Sequence, residues 1–189
     1  MKKFYYVRHG ETKWNLESLC QGHQDIKLSA KGEQDAHKLK DFFQNKKIKR
    51  IFTSPLQRAK QTATIISNTL ANVRILHGLR ERGFGLFEGV PNNLMYAIED
   101  MELSRSFDKE QFYKNFKVEP INTIVDRVDN ALQEITQCPE DEILVVSHGR
   151  TFNFICYCLG VEGIKQLKHN QIIYFYQEEK CWSYEIHEI

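Results

Sequence analysis

A chain of 189 residues is somewhat longer than the ~150 of an ordinary domain, so a single domain spanning 1–189 around one core is the expectation. With 26 Lys and Arg against 25 Asp and Glu, a net charge of +1 leaves no basic excess to hold a nucleic-acid backbone and no acidic tail. A hydrophobic content of 41% with only 4 prolines excludes a disordered or linker-rich chain, and the longest apolar run, Phe154 to Leu159, is far short of the ~18 residues of a membrane span.

The N-terminus begins Met1-Lys2-Lys3 as a signal peptide can, but its apolar run ends at Val7 and meets Arg8 and His9, so export is not expected. That first run, Phe4 to Val7, does not alternate polar with apolar, which predicts a central strand covered on both faces. After Ser29, a helix carries Ala36, Leu39 and Phe43 on one face. The Lys46, Lys47, Lys49 and Arg50 cluster reads as solvation of that helix's end. A strand over Arg50 to Phe52 then leads through Thr53 into a helix. There Ser54 is read as the cap, Pro55 as the first helical residue and Gln57 as the partner completing a capping box, with a stripe of Ala59, Ala63, Ile66 and Leu70.

A short strand over Val73 to Leu76 precedes Leu79-Arg80-Glu81-Arg82-Gly83-Phe84-Gly85-Leu86-Phe87-Glu88-Gly89. Its three glycines permit positive φ or close approach, while Phe84 and Phe87 anchor the loop to the body. From Pro91 to Pro120 the chain carries Leu94, Ile98, Met101, Phe107, Phe112 and Phe116 without a strand signal, and this is read as a helical excursion from the sheet. A helix after Asn122 buries Ile124, Val128, Leu132 and Ile135. The strand Glu142 to Ser147 breaks into His148-Gly149 and a further helix, and strands over Ile172 to Tyr176 and Cys181 to His187 close the chain. The alternation predicts an α/β fold: a three-layer sandwich, with a mostly parallel central sheet flanked by helices.

Two strands therefore end alike, in Arg8-His9-Gly10 and Ser147-His148-Gly149. Ligands in open α/β sheets bind beyond the carboxyl ends of strands, so parallel neighbours would point both imidazoles into one crevice. Arg58, in the first turn of its helix, adds a planar cationic fork that matches phosphate oxygens. Carboxylates in reach of such a site are Glu81, Glu88 and Glu11. Other phosphate chemistries fail on inspection. No cysteine of the five is followed six residues later by arginine, no two aspartates are spaced by two, and no glycine precedes a lysine. His23, His37, His77, His169 and His187 have no metal-binding spacing and are read as surface or packing residues, with His23 in the Gln21 to Asp25 loop closest to the pocket. Neither a metal nor a cofactor is expected. Scattered cysteines without a C-x-x-C pair fit reduced thiols in a cytoplasmic protein.

The run Arg8-His9-Gly10-Glu11-Thr12-Lys13-Trp14-Asn15 resembles the R-H-G-E-T-x-W-N signature of the histidine phosphatase superfamily, the phosphoglycerate mutase-like family. Further blocks follow in family order: Gln21-Gly22, Asp25 and Leu28-Ser29; Thr53-Ser54-Pro55-Leu56-Gln57-Arg58-Ala59; Arg80-Glu81 with Phe84-Gly85 and Glu88-Gly89; then Ser147-His148-Gly149. The resemblance implies that His9 is the nucleophile and Glu81 the proton donor. It implies that Arg8, Asn15, Arg58 and His148, with Gln21, Gly22 and Gly149, hold the phosphoryl group. A leaving alkoxide must be protonated, so the acid has to hold a proton near neutral pH, and a phosphate dianion beside it favours that.

The implied activity is hydrolysis of a small-molecule phosphate ester through a phosphohistidine, with no nucleic-acid or membrane partner and with room for a homodimer. Cofactor-dependent mutase activity is the alternative, because Arg105-Ser106-Phe107-Asp108 resembles a mutase motif but lacks its prolines. A non-enzymatic phosphate-binding module is the third reading. Departures from the family pattern at Phe87, Asp35 and Arg150 bear on pocket shape and substrate. Leaving-group selection is assigned to 91–120.

Overall fold

The computed structural model describes residues 2–67, 72–95, 97, 108–164, 167–169 and 171–189. Six strands form one sheet in the order β3-β2-β4-β1-β5-β6: β1 (Lys3–Arg8), β2 (Arg50–Thr53), β3 (Val73–Ile75), β4 (Ile143–Ser147), β5 (Gln171–Glu178) and β6 (Cys181–Glu188). The first four strands in that order run parallel, whereas β5 and β6 add antiparallel at one side. All six expected strands are present.

Because side chains alternate across a strand, the central strands feed two cores. Phe4, Tyr6 and Val145 face α5 (Ile121–Gln137) and α6 (Gly149–Leu159), where Ile124, Val128, Leu132, Ile135, Phe152 and Ile155 are buried. After the short α1 (Lys13–Leu16), Tyr5, Val7, Leu144 and Val146 face α2 (Ala30–Phe43) and α3 (Gln57–Ser67), meeting Leu39, Phe43, Ala59, Ala63 and Ile66. These are the three layers that the sequence pattern implies. Among the described residues no helix is long and apolar enough to cross a membrane.

The start of α3 differs from expectation. The helix begins at Gln57 rather than Pro55, and the Gln57 amide and side chain both donate to Asp25 instead of closing a box with Ser54. A partner 32 residues upstream outcompetes the local cap. Leu70, Ile98, Met101 and the Arg105-Ser106-Phe107 part of the mutase-like motif lie outside the described residues. Within the 91–120 excursion, 92–95 form a helical turn and α4 spans Lys109–Phe116. Phe112 and Phe116 stack on Phe87, which ties this excursion to the preceding glycine-rich loop.

The register positions the site. Arg8 lies opposite Ser147 across β1 and β4, so the next residue on each strand, His9 and His148, leaves the sheet beside the other. Thr53 lies opposite Val146, and the Ser54 amide donates to the Val146 carbonyl, which brings the start of α3 to the same edge.

Candidate active site

His9 is 2% exposed and His148 fully buried, with ring centroids 5.2 Å apart. His9 Nδ1 donates to the Gly10 carbonyl at 2.7 Å, which leaves Nε2 carrying the free lone pair. His148 Nε2 lies 2.7 Å from Ser54 Oγ, which accepts the Leu56 amide at 3.3 Å. His148 Nδ1 is a buried atom without a hydrogen-bond partner among the described residues. Burial, reinforced by the Arg58 charge, holds both histidines well below their ordinary value. Both are therefore neutral near pH 7.

The positive charge of the site therefore comes from arginines. Arg58 has no solvent exposure. Its Nη1 donates to the Gln24 carbonyl at 2.7 Å and its Nη2 to the Gly22 carbonyl at 2.8 Å, while Nε is buried and unpartnered. Burial lowers it to about 10, so it stays charged at neutral pH. Arg58 is thus a buried cation and not a solvated helix residue. Arg8 extends from the end of β1 and donates to the Leu167 carbonyl at 3.2 Å. Asn15 Oδ1 accepts from the Thr12 amide and hydroxyl at 3.0 and 2.9 Å, so the amide group is oriented with its Nδ2 donors unspent. Gly22 takes φ 49°, and a Cβ there would overlap the Glu88 carboxylate.

Glu81 sits at the N-terminus of α6, where a helix favours negative charge. Its Oε1 accepts the Arg82 and Thr151 amides, each at 3.0 Å, and its Oε2 accepts the Arg150 amide at 3.2 Å. Glu88 is committed elsewhere. Its Oε1 accepts the His23 and Phe84 amides and its Oε2 the Gln24 side chain, which stitches two loops together. Glu11 accepts the Ser29 hydroxyl. Among the described residues that line the cleft, Glu81 is the only carboxylate.

That cleft is open to solvent. Arg8, His9, Asn15, Gln21, Gly22, Arg58, Glu81 and Gly149 all line it, and His148 lies beneath against His9. Asn92 and Met95, from the segment assigned to leaving-group selection, and Arg150, already noted as bearing on pocket shape, complete the wall with Leu19, Cys20, Phe84, Asn153 and Leu167, which the sequence did not assign to binding.

Three supporting residues were also missed. The Tyr6 hydroxyl donates to the His148 carbonyl at 2.8 Å and accepts the His148 amide at 3.1 Å. Ser54 orients the His148 ring. His169 packs 5.4 Å from the His9 ring, Nδ1 2.6 Å from the His9 carbonyl, and burial pushes it down to about 4. Tyr6 reads as one more aromatic in β1, and only its full burial marks its hydroxyl as needing a partner. His23 lies behind the pocket wall as its loop position suggested, Nε2 2.8 Å from the Glu81 carbonyl.

Comparison with known proteins places the chain in a family. The model of the histidine phosphatase superfamily (branch 1) matches residues 4–174. The uncharacterized phosphatase PhoE of Bacillus subtilis is 35% identical over 145 residues, 76% of this chain and 69% of that protein. The probable phosphoglycerate mutase GpmB of Salmonella paratyphi A is 33% identical over 151 residues, 79% of this chain and 70% of that protein. Among solved structures, a mycobacterial glucosyl-3-phosphoglycerate phosphatase superposes with a TM-score of 0.82 at 18% identity, over 100% of this chain and 99% of that one.

Proposed function

This chain belongs to the histidine phosphatase superfamily, and we propose that it is a phosphatase that hydrolyses a small phosphate monoester through a phosphohistidine on His9. The observation that carries this reading is the His9 and His148 pair, 5.2 Å apart at the ends of adjacent parallel strands, in a cleft whose only carboxylate among the described lining residues is Glu81.

Phosphoryl transfer asks mainly for in-line placement and neutralisation of the peripheral oxygens. Arg8 and Arg58 supply the charge, and His148 Nδ1 and Asn15 Nδ2 supply neutral donors. The His9 Nε2 lone pair forms the N–P bond as the ester P–O bond breaks, and Glu81 gives its proton to the departing oxygen. Water then yields a proton to the Glu81 carboxylate and attacks phosphorus. The N–P bond breaks, inorganic phosphate leaves, and neutral His9 and protonated Glu81 are restored. The excursion between 91 and 120, which contributes Asn92 and Met95 to the cleft wall, selects the leaving group.

A turnover assay on p-nitrophenyl phosphate with and without chelator, repeated with His9→Ala, tests this reading. Metal-independent turnover that disappears in the variant supports hydrolysis. Tight phosphate binding without turnover would instead make the protein a binding module. Mutase activity, the reading suggested by the Salmonella relative, requires the phosphoryl group to pass to a second alcohol. Adding 3-phosphoglycerate with its bisphosphate to a substrate panel separates that outcome.

A further inference from the structure

The proposed chemistry uses Glu81 but does not explain a cross-link behind it. Arg127, on α5, is 14% exposed at its side chain and does not line the cleft. Its Nη1 donates to the Gly78 and Arg80 carbonyls at 2.7 and 2.8 Å, and its Nη2 to the Glu81 carbonyl at 3.1 Å. Its remaining donors meet Glu119: Nε to Oε1 at 2.7 Å and Nη2 to Oε2 at 2.9 Å. Glu119 in turn holds the chain just beyond the acid. Its Oε2 accepts the Gly83 amide at 2.9 Å, its carbonyl accepts Arg82, and its amide donates to the Gly83 carbonyl at 2.8 Å. Although burial works against ionisation, the Arg127 bonds and charge keep Glu119 below the ordinary carboxylate range, so the pair is ionic.

The backbone from 78 to 83 is thus fixed on both sides of Glu81 by one ion pair. Gly78 lies so close to α5 that a Cβ would overlap the Arg127 carbonyl. A general acid is sensitive to such bracing, because a displacement of about 1 Å can cost about 10²-fold in rate. Single bonds from Ser147 to the Leu79 carbonyl and from Thr151 to the Arg80 carbonyl also hold this stretch, and the planar guanidinium ties three of its carbonyls to one rigid group.

We infer that Arg127, with Glu119 as its counter-ion, is a positioning residue that fixes the Glu81 carboxyl against the leaving-group oxygen. The inference rests on Glu81 being the acid, and the test separates the two ideas. Kinetics on an alkyl ester, glycerol phosphate, and an aryl ester, p-nitrophenyl phosphate, are compared for the parent protein, Glu81→Gln, Arg127→Ala and the double variant. Arg127→Ala is expected to lose about 10²-fold in kcat/KM, which reports the first phosphoryl transfer, on the alkyl ester. On the aryl ester, whose leaving group needs no proton, the loss is expected to be only a few-fold. The double variant should be no slower than Glu81→Gln alone, since the same proton transfer is lost only once.

Equal losses on both esters, or a double variant slower by the product of the single losses, would reduce Arg127 to a structural role and overturn the inference. If Glu81→Gln is itself indifferent to the leaving group, the acid assignment falls and the positioning role with it. Should Arg127→Ala not fold, Arg127→Lys keeps the charge opposite Glu119 but cannot reach the three carbonyls together. The same selective loss on the alkyl ester is expected of it, and an unchanged ratio of alkyl to aryl turnover would overturn the proposal.

Discussion

The two sides of the cleft are built in different ways. On the phosphate side, His9, Ser54 and His148 emerge from neighbouring strand ends whose ladder fixes them, and Arg58 is held by carbonyls of the Gly22 to Gln24 loop. On the acid side, Glu81 stands in a segment between two short 3₁₀ turns, His77–Leu79 and Gly85–Phe87, and is placed by the α6 amides and the Arg127 cross-link. On the proposed assignment, phosphoryl recognition is carried by the sheet edge, and acid placement by backbone amides of one helix and a side chain of another. Damage to the first should therefore slow every ester alike, and damage to the second should discriminate among leaving groups.

Arg58→Ala is the strongest test of the phosphate side. Removing a preorganised cation should cost on the order of 3 kcal/mol in transition-state stabilisation, with equal losses on alkyl and aryl esters and weaker inhibition by phosphate. Glu81→Gln provides the contrast, with an expected loss in kcat/KM, which reports the first phosphoryl transfer, of roughly 10²–10⁴-fold on alkyl esters and much less on aryl ones. If both variants gave the same leaving-group profile, the division between the two sides would fail.

Tyr6→Phe is expected to act more gently. Burial holds the phenol protonated, and its loss leaves the buried His148 amide and carbonyl without their bridge, at about 1–3 kcal/mol of stability. Thermal melting and kcat on the two esters measure this, with a lowered Tm and an unchanged alkyl to aryl ratio expected. A shift in that ratio would place Tyr6 with the acid.

Acid sensitivity of folding should also belong to the phosphate side. His9, His148 and His169 are all held below their ordinary value, chiefly by burial. Above about pH 6.5 neither the folded nor the unfolded chain protonates them. As pH falls below that, the unfolded chain takes up protons that the folded one refuses. Stability then drops by up to about 1.4 kcal/mol per pH unit for each histidine, with the His169 contribution ending near its folded value of about 4. Melting temperatures that decline from pH 7 to 5, with a shallower slope in His169→Gln, would bear this out. A flat profile would mean that these rings titrate freely.

How much could be read in advance follows the same division. The runs Phe4 to Val7 and Ile143 to Val146 are unalternated because both faces are covered, and the glycine that follows each histidine marks the strand's exit, so the sheet and the edge where the two histidines meet are legible in the sequence. The Ser54 cap was misread because Asp25, remote in sequence, takes the Gln57 donors. Tyr6 and Arg127 escaped for the same reason. In a periodic pattern they are one more aromatic and one more polar helix residue, and their work depends on partners 142 and 46 to 49 positions away. Local propensity carries no trace of such pairings.

The aromatic stack of Phe87 with Phe112 and Phe116 couples two properties that might otherwise vary separately. Phe87 lies six residues beyond the acid, and its partners lie on the excursion assigned to substrate choice. Reshaping that excursion to admit a bulkier alcohol would pull on the acid loop as well. Broadened substrate range and altered sensitivity to the leaving group should thus arise together, even in lineages where every residue touching phosphorus stays the same.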